Sequence, residues 1–517
     1  MQAPRAHDRG RQSILSDIDV FRRHPSSQDV TELQALIATN ETSLASLNEE
    51  IEACSRQLSA LHTKSYAHIF TIRRCQAAMT LARLIPPELL AKIFEHASET
   101  GWTRAPIVVS RVCSTWRAAA QSHPGVWSRL TVNLDTRNPV DRIKYWLSMA
   151  RHAPLHITII RTAPTTSLGQ VMTLLLERSE QWVSVTLDLH LADTRQVLAA
   201  CTAPFTKLRS IGLSLVATDE SIEAAEGTTG FANAFQDAPA LTSVSIVGNV
   251  FPRDLPPRIT SLRIEYSGPS GSSIDTPRSI IEALRNLPDL EALSLQLGAI
   301  ATAPHDIPEI ELPKLKTLTF EDLQPGGFRV LDYLTASSLV HLSAHAQSHS
   351  DVYGPPFRSI RFLEGSPNLE TLEFGGVDIW PDQWLLILPL LPKLRKLYLH
   401  DSDINDEVIE GMFGKNGLCP DLQQIDLRWC QHVRGTTLVR LVESRVRESG
   451  REIEEVAAIC CSLVSKQDAI QLAGLTTFRV VIGERDEHCR KFGFFPRMFL
   501  NVFDLALRSL RREEMLQ

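Results

Sequence analysis

One pattern limits what this chain can become. The unit Pro-x-Leu-x-x-Leu-x-Leu recurs through its second half. Clear copies are Pro239-Leu241-Val244-Ile246, Pro257-Ile259-Leu262-Ile264, Pro288-Leu290-Leu293-Leu295 and Pro313-Leu315-Leu318-Phe320. Pro367-Leu369-Leu372-Phe374, Pro392-Leu394-Leu397-Leu399 and Pro420-Leu422-Ile425-Leu427 continue the series. Weaker copies stand at Trp182-Val185-Leu187, Leu208-Ile211-Leu213 and Leu339-Leu342. In most cases successive first leucines lie roughly 25 to 33 residues apart, the spacing of stacked structural repeats. The last two apolar positions alternate with polar ones, which predicts one short strand per unit. Between units lie helical patterns such as Ile280, Ile281, Leu284 and Leu287. One strand and one helix cannot close a core, but stacked copies can. The expected fold is therefore α/β: a solenoid with parallel strands on the concave side and helices on the convex side.

The residues between the apolar strand positions should face outward from the concave side. They include Ser243, Ser245, Arg263, Glu265, His341, Ser343, Lys396, Tyr398, His400, Gln424, Asp426 and Arg428. The candidate target-binding face is Arg263, Glu265, His341, Lys396, Tyr398, His400, Gln424, Asp426 and Arg428. Tyr398 and Arg428 are favoured, because tyrosine and arginine are enriched where interfaces bind. The alternative is a solvated sheet face with no ligand.

Ahead of the repeats runs a second periodicity, with steps of four and three. It passes through Leu33, Ile37, Asn40, Leu44, Leu47, Ile51, Cys54, Leu58, Leu61, Ser65, His68, Ile72, Cys75 and Met79, uninterrupted by proline or glycine. A helix carrying this heptad seam presents one apolar stripe. Two readings stand: a dimer through residues 33–79, or a single long helix packing on its own chain. In a dimer, Asn40 would specify register.

Between the two lies Leu84–Leu130. Pro86 and Pro87 end the heptads and suit the first turn of a new helix carrying Leu89, Leu90, Ile93 and Phe94. A second apolar helix is expected to hold Val108, Val109, Val112, Cys113 and Trp116, and Val126, Trp127 and Leu130 close the segment. A segment this short barely offsets its conformational entropy, so its excess of large apolar groups asks for a partner surface, either another protein or the chain's own repeats.

This segment resembles an F-box. The motif of an apolar residue before Pro, then Pro-x-Glu-Leu and an Ile-Phe pair, matches Leu84-Ile85-Pro86-Pro87-Glu88-Leu89 with Ile93-Phe94. The later part matches Val109, Val112-Cys113 and Trp116, with Trp127 closing. The chain departs from the pattern at Gly101–Pro106, in place of a short apolar link. The repeat array resembles leucine-rich repeats, and Cys419–Leu438 looks like the cysteine-containing subtype. The resemblance implies docking to a Skp-type adaptor, and through it to a cullin ubiquitin ligase. The residues it assigns to that interface are Leu84, Pro86, Pro87, Glu88, Leu89, Ile93, Phe94, Val109, Val112, Cys113 and Trp116, with Cys113 as a small buried hydrophobe. The chain would then be a non-catalytic substrate receptor. The alternative is a ligase-independent scaffold that binds partners through the heptad helix and repeats.

Composition narrows the classes further. In 517 residues, 43% hydrophobic and 22% charged, the formal net charge is −7, which argues against a nucleic-acid partner. Nine scattered cysteines form no even framework, and no apolar run suits a signal peptide or a membrane span. A cytoplasmic or nuclear location, or both, is expected. No zinc, calcium, phosphate-loop or hydrolase constellation survives inspection, so neither cofactor nor enzymatic activity is expected. Asp401–Asn405 opens like a calcium loop but has Asp406 where glycine is needed and Met412 where glutamate is needed. Cys419 and Cys430 are read as core residues of the repeats.

The expected organisation is a flexible tail at 1–28, the heptad helix at 29–80, the F-box-like segment at 81–131, the solenoid at 132–482 and an amphipathic capping helix at 483–517.

Overall fold

The computed structural model describes residues 24, 26–79, 85–99, 102–161, 167–216, 231–252, 255–266, 276–297, 309–323, 327–346, 357–377, 379–414, 416–448 and 452–481. Leu84 and the stretch assigned to a capping helix, 483–517, lie outside the described residues. The chain divides into two compact units, Met1–Leu89 and Leu90–Gln517.

The first unit is dominated by helix α1, Ser27–Ala78, 52 residues long. A capping box starts it. The Ser26 N–H donates to Asp29 Oδ2 at 2.9 Å, and the Asp29 N–H donates to Ser26 Oγ at 3.2 Å. The heptad residues fall where the periodicity puts them, on one continuous helix.

The second unit is an α/β solenoid of leucine-rich-repeat type. Fourteen strands form one sheet, each paired in parallel with the next along the chain. They are β1 Arg129–Asn133, β2 Leu155–Ile160, β3 Trp182–Asp188, β4 Ser210–Leu215, β5 Ser243–Gly248, β6 Ser261–Tyr266 and β7 Ala292–Gln296. Then come β8 Thr317–Leu323, β9 His341–Ala346, β10 Thr371–Gly375, β11 Lys396–His400, β12 Gln424–Arg428, β13 Glu455–Ile459 and β14 Thr477–Val481.

Register shows why the repeat is legible. One apolar row crosses all fourteen strands: Leu130, Ile157, Val185, Ile211, Val244, Leu262, Leu293, Leu318, Leu342, Leu372, Leu397, Ile425, Val456 and Phe478. Its members from Leu130 to Val456 are buried. The intervening residues alternate to the opposite, open face, and most remain partly exposed. The leucine that opens each unit sits at the preceding turn and is also buried, as at Leu290, Leu315, Leu369 and Leu394.

Not every crossover is helical. Helices α5 Pro139–Ala150, α6 Leu168–Leu176, α7 Leu191–Ala200, α8 Thr276–Leu284, α9 Phe357–Glu364 and α10 Pro381–Ile387 bridge some strands. So do α11 Asp406–Glu410, α12 Gly435–Glu448 and α13 Lys466–Leu475. The step from β8 to β9 uses the 3-10 segment Gly327–Tyr333 instead, with a separate parallel pair, Ile310–Glu311 against Leu334–Thr335. The step from β5 to β6, between Gly248 and Ser261, is short. Gly248 itself, at φ +151°, has no room for a Cβ, which would meet Leu215 O at 2.1 Å.

Late in the solenoid, Arg445 on α12 is fully buried. Its Nε donates to Met412 O at 2.9 Å, its Nη1 to Pro420 O at 2.9 Å, and its Nη2 to Leu418 O at 2.8 Å and Cys419 O at 3.1 Å. This side chain pins the loop in which Cys419 adopts a left-handed backbone, φ 50°. Cys419, Cys430 and Cys461 are core residues whose thiols burial pushes up to about 12, 12 and 11.

Candidate functional site

Two surfaces are candidates, and each is built from elements already placed. The first is the F-box-like segment. Three short helices carry it: α2 Pro87–Glu99, α3 Ala105–Val109 and α4 Ser114–Ser122. A 3-10 turn, Pro124–Trp127, closes it. Pro at the first position of α2 starts the helix where the sequence expected. The second apolar stretch is not one helix. Ser110 to Cys113 form a turn, and Cys113 becomes the N-cap of α4, its Sγ accepting from the Trp116 N–H at 3.5 Å. Cys113 is therefore half-buried and capping, rather than a fully buried hydrophobe.

Within α2 the apolar residues separate by helix face. Leu90, Ala91 and Phe94 point inward, and the Phe94 ring lies 5.0 Å from that of half-buried Trp116. Pro86, Pro87, Glu88, Leu89 and Ile93 are exposed, Ile93 at 52%. Val109 is buried, whereas Val108 and Val112 are exposed, Val112 at 57%. Phe94 and Val109, both assigned to the adaptor surface by the resemblance, are buried in this segment. They form its packed layer, because the i, i+3, i+4 stripe that closes the small core claims them.

The end of this segment is fused to the solenoid. Trp127 is buried, donates from Nε1 to Ala120 O at 2.7 Å, and meets Trp146 of α5 edge-on at 5.0 Å. Trp146 Nε1 donates in turn to Trp127 O at 2.8 Å. The first strand begins at Arg129, inside the range expected for the F-box-like segment. The link that departs from the motif has a place too. Trp102, Thr103 and Pro106 form one side of a recess, and His156, Thr158 and Thr186 of the sheet form the other.

The second surface is the open face of the sheet. All nine expected target-face residues stand on it, but they do not form one patch. Lys396, Tyr398 and His400 on β11 lie beside Gln424, Asp426 and Arg428 on β12, in one-to-one register. His341 opens β9, two strands from β11. Arg263 and Glu265 sit on β6, five strands from β11, about 24 Å at the usual strand spacing.

Each group has partners that the sequence reading missed. Arg263 pairs with Glu321 of β8, which also accepts from Ser294 Oγ at 3.2 Å. His345 Nε2 lies 3.4 Å from Glu373 Oε1, and its ring is 6.0 Å from that of His400. The hydrogen bond from His345 outweighs burial and holds the Glu373 carboxyl below its usual range. Burial, and then the Arg428 charge, lower His400 to about 4, so it is neutral at physiological pH. Arg428 Nε and Nη2 each reach an Asp426 oxygen at 2.9 Å, a two-pronged pair. Asp426, expected to be open, is buried under that pair. Tyr398 donates to Gln424 Oε1 at 3.0 Å. Glu321, His345 and Glu373 carried a usable signal, since they occupy the same outward strand offset as the residues chosen.

Toward β1 the same face changes character. Thr158, Thr186, Ser210, Gly212, Ser214, Ser243 and Ser245 line a trough of mostly small residues, with Ile160, Val247 and the Asp188 carboxylate also in its lining. Among the described residues, no group of three His, Cys, Asp or Glu side chains is placed to hold a metal ion, and no helix is long and apolar enough to cross a membrane.

No protein-family model matches the sequence, and no curated protein matches it either. Among solved structures, the yeast Rad7 and Elc1 complex aligns over 81% of this chain and 97% of that one, at 12% identity and a TM-score of 0.27. A Bacteroides fragilis protein aligns over 54% of this chain and 67% of its own, also at 12% identity and 0.27. Similarity at this level carries no argument about function. The solenoid assignment rests on the register of the fourteen strands.

Proposed function

We propose that the chain is the substrate-recognition subunit of a Skp–cullin–F-box ubiquitin ligase. The F-box-like segment docks the Skp-type adaptor and the open sheet face holds a target protein. The observation that supports this reading most is the sorting of apolar residues in the segment. Ile93, Val108 and Val112 stay exposed although buried positions for apolar groups lie beside them. Exposed apolar residues collected on a motif with this order and spacing fit a surface kept for a partner.

The chemistry asked of the chain is positional. It holds a target at high effective concentration beside a reactive enzyme supplied by the ligase. No side chain of its own needs to enter the reaction, so the chain is read as non-catalytic. Within the open face, the strand β9–β12 cluster is the favoured target contact, because it gathers Tyr398, Arg428, Lys396 and three histidines within four consecutive strands.

The test is co-purification of the full chain with the Skp-type adaptor and cullin. The unmodified chain should retain both. Ile93→Asp with Val112→Asp should reduce adaptor retention at least tenfold while leaving the solenoid's melting unchanged. Failure of the unmodified chain to bind the adaptor rejects the ligase reading. The exposed heptad helix supports a second reading, a ligase-independent scaffold. In that case deleting residues 29–80 abolishes partner capture, and the Ile93 and Val112 substitutions have no effect.

A further inference from the structure

Among the described residues nothing covers the seam of helix α1 from Ile37 onward. Ile37, Leu44, Leu47, Ile51, Leu58, Leu61 and Ile72 are each 55–64% exposed, and every residue from Ile37 to Gln76 is exposed. At 1.5 Å per residue the helix is roughly 78 Å long. A water-facing aliphatic stripe of that length is unfavourable, and helices draw most of their stability from packing such a stripe.

The order of residues along the seam says what covers it. With Ile37 at an a position, the a residues are Ile37, Leu44, Ile51, Leu58, Ser65, Ile72 and Met79. The d residues are Leu33, Asn40, Leu47, Cys54, Leu61, His68 and Cys75. We propose that α1 forms a parallel, in-register two-stranded coiled coil with a second copy of this chain.

In that arrangement every seam residue faces itself. Leucine and isoleucine meet their own kind. The three polar seam residues, Asn40, Ser65 and His68, also meet their own kind, and each can hydrogen-bond across. Asn40 Nδ2 donates to Leu36 O at 2.9 Å within the helix, and a carboxamide carries both donor and acceptor, so two facing Asn40 side chains can pair across the seam.

The antiparallel register that overlaps the full seam does worse. It sets Asn40 opposite Ile72, Ser65 opposite Leu47 and His68 opposite Leu44. It gains one surface pair, Glu50 with Lys64. Three buried polar groups facing aliphatic ones outweigh one exposed ion pair.

The flanks agree with a self-partner. In the parallel register the facing g and e residues are Leu36–Glu41, Ser43–Asn48, Glu50–Ser55, Gln57–His62, Lys64–Ile69 and Thr71–Gln76. No like charges oppose each other. A parallel rod also brings both chains out at the same end, so the dimer would present two copies of whatever the second unit binds.

The d-position cysteines provide the test. Cys54 and Cys75 are exposed thiols three heptads apart. In the parallel register each faces its own copy. In the antiparallel register the two Cys75 residues lie about 57 Å apart.

The full-length chain, without adaptor, is measured by light scattering and then oxidised with copper phenanthroline, which accepts the electrons of disulfide formation. The expected result is twice the chain mass, with Cys54–Cys54 and Cys75–Cys75 linkages mapped by mass spectrometry. Leu47→Asp with Ile51→Asp should return the mass to one chain, and Glu52→Lys, at an outer b position, should leave it doubled. A single-chain mass for the unmodified protein overturns the proposal. So does a dimer without the Cys75–Cys75 linkage, or one that survives Leu47→Asp with Ile51→Asp. Because no adaptor is present, these outcomes are independent of the ligase reading.

Discussion

His400 shows how a strand position acquires chemistry that its identity does not reveal. Its neighbours on the open face, Arg428 and His345, disfavour a second positive charge, and burial adds to the effect. The folded pKa near 4 lies below the usual 6.5, so the unfolded chain binds the proton more readily. Stability from this group is therefore complete above about pH 6.5 and is lost as pH falls toward 4. Glu373, also held low, adds a loss in the same direction at lower pH. His400→Gln should flatten the denaturation midpoint between pH 6.5 and 4, and the unmodified protein should lose roughly 2–3 kcal/mol across that window. Equal pH slopes for the two proteins would remove His400 as the cause.

Individual elements are set by local chemistry that the sequence displays. Ser465 caps α13 in a full box: its Oγ accepts from the Asp468 N–H at 3.2 Å, and Asp468 Oδ2 accepts from the Ser465 N–H at 2.9 Å. Ser465→Ala should lower stability by about 1 kcal/mol, read from a urea midpoint. The same logic made α1 and the start of α2 readable. It failed for Val112–Cys113, where the apolar spacing continues but the backbone turns, because the Cys113 thiol caps the next helix instead of extending the previous one. Four strands, β1, β2, β13 and β14, also fall outside the repeat copies legible in the sequence. In β13 the inward positions are Val456 and Ala458, and alanine is too small to register as a repeat leucine.

The solenoid as a whole behaves as a stack. Each repeat contacts its neighbours through the ladder, so a central defect should stay local. Leu372, fully buried between Leu342 and Leu397, is a suitable probe. Leu372→Ala should cost about 2–5 kcal/mol, and hydrogen exchange should rise in β9 to β11 while β2 to β5 remain protected. Uniform loss of protection would mean that the stack melts as one unit. The division of the open face, with a small-residue trough toward β1 and charged clusters from β6 to β12, also exists only at this scale.

The sequence alone determined the periods. Leucines at fixed offsets dictate parallel strands stacked through one apolar row, and steps of four and three dictate a long helix with one stripe, because burial repeats with the geometry of each element. Tertiary structure decided which residues meet. Arg263 and Glu321 are 58 positions apart in sequence, and His345 and His400 are 55 apart. Their contact depends on strand register, which is fixed by ladder hydrogen bonds between repeats of unequal length and which no single repeat encodes. Tertiary packing likewise divided the F-box-like residues into a buried layer, Phe94 and Val109, and an exposed one, Ile93 and Val112. Only neighbouring helices determine which side of an apolar helix faces the core.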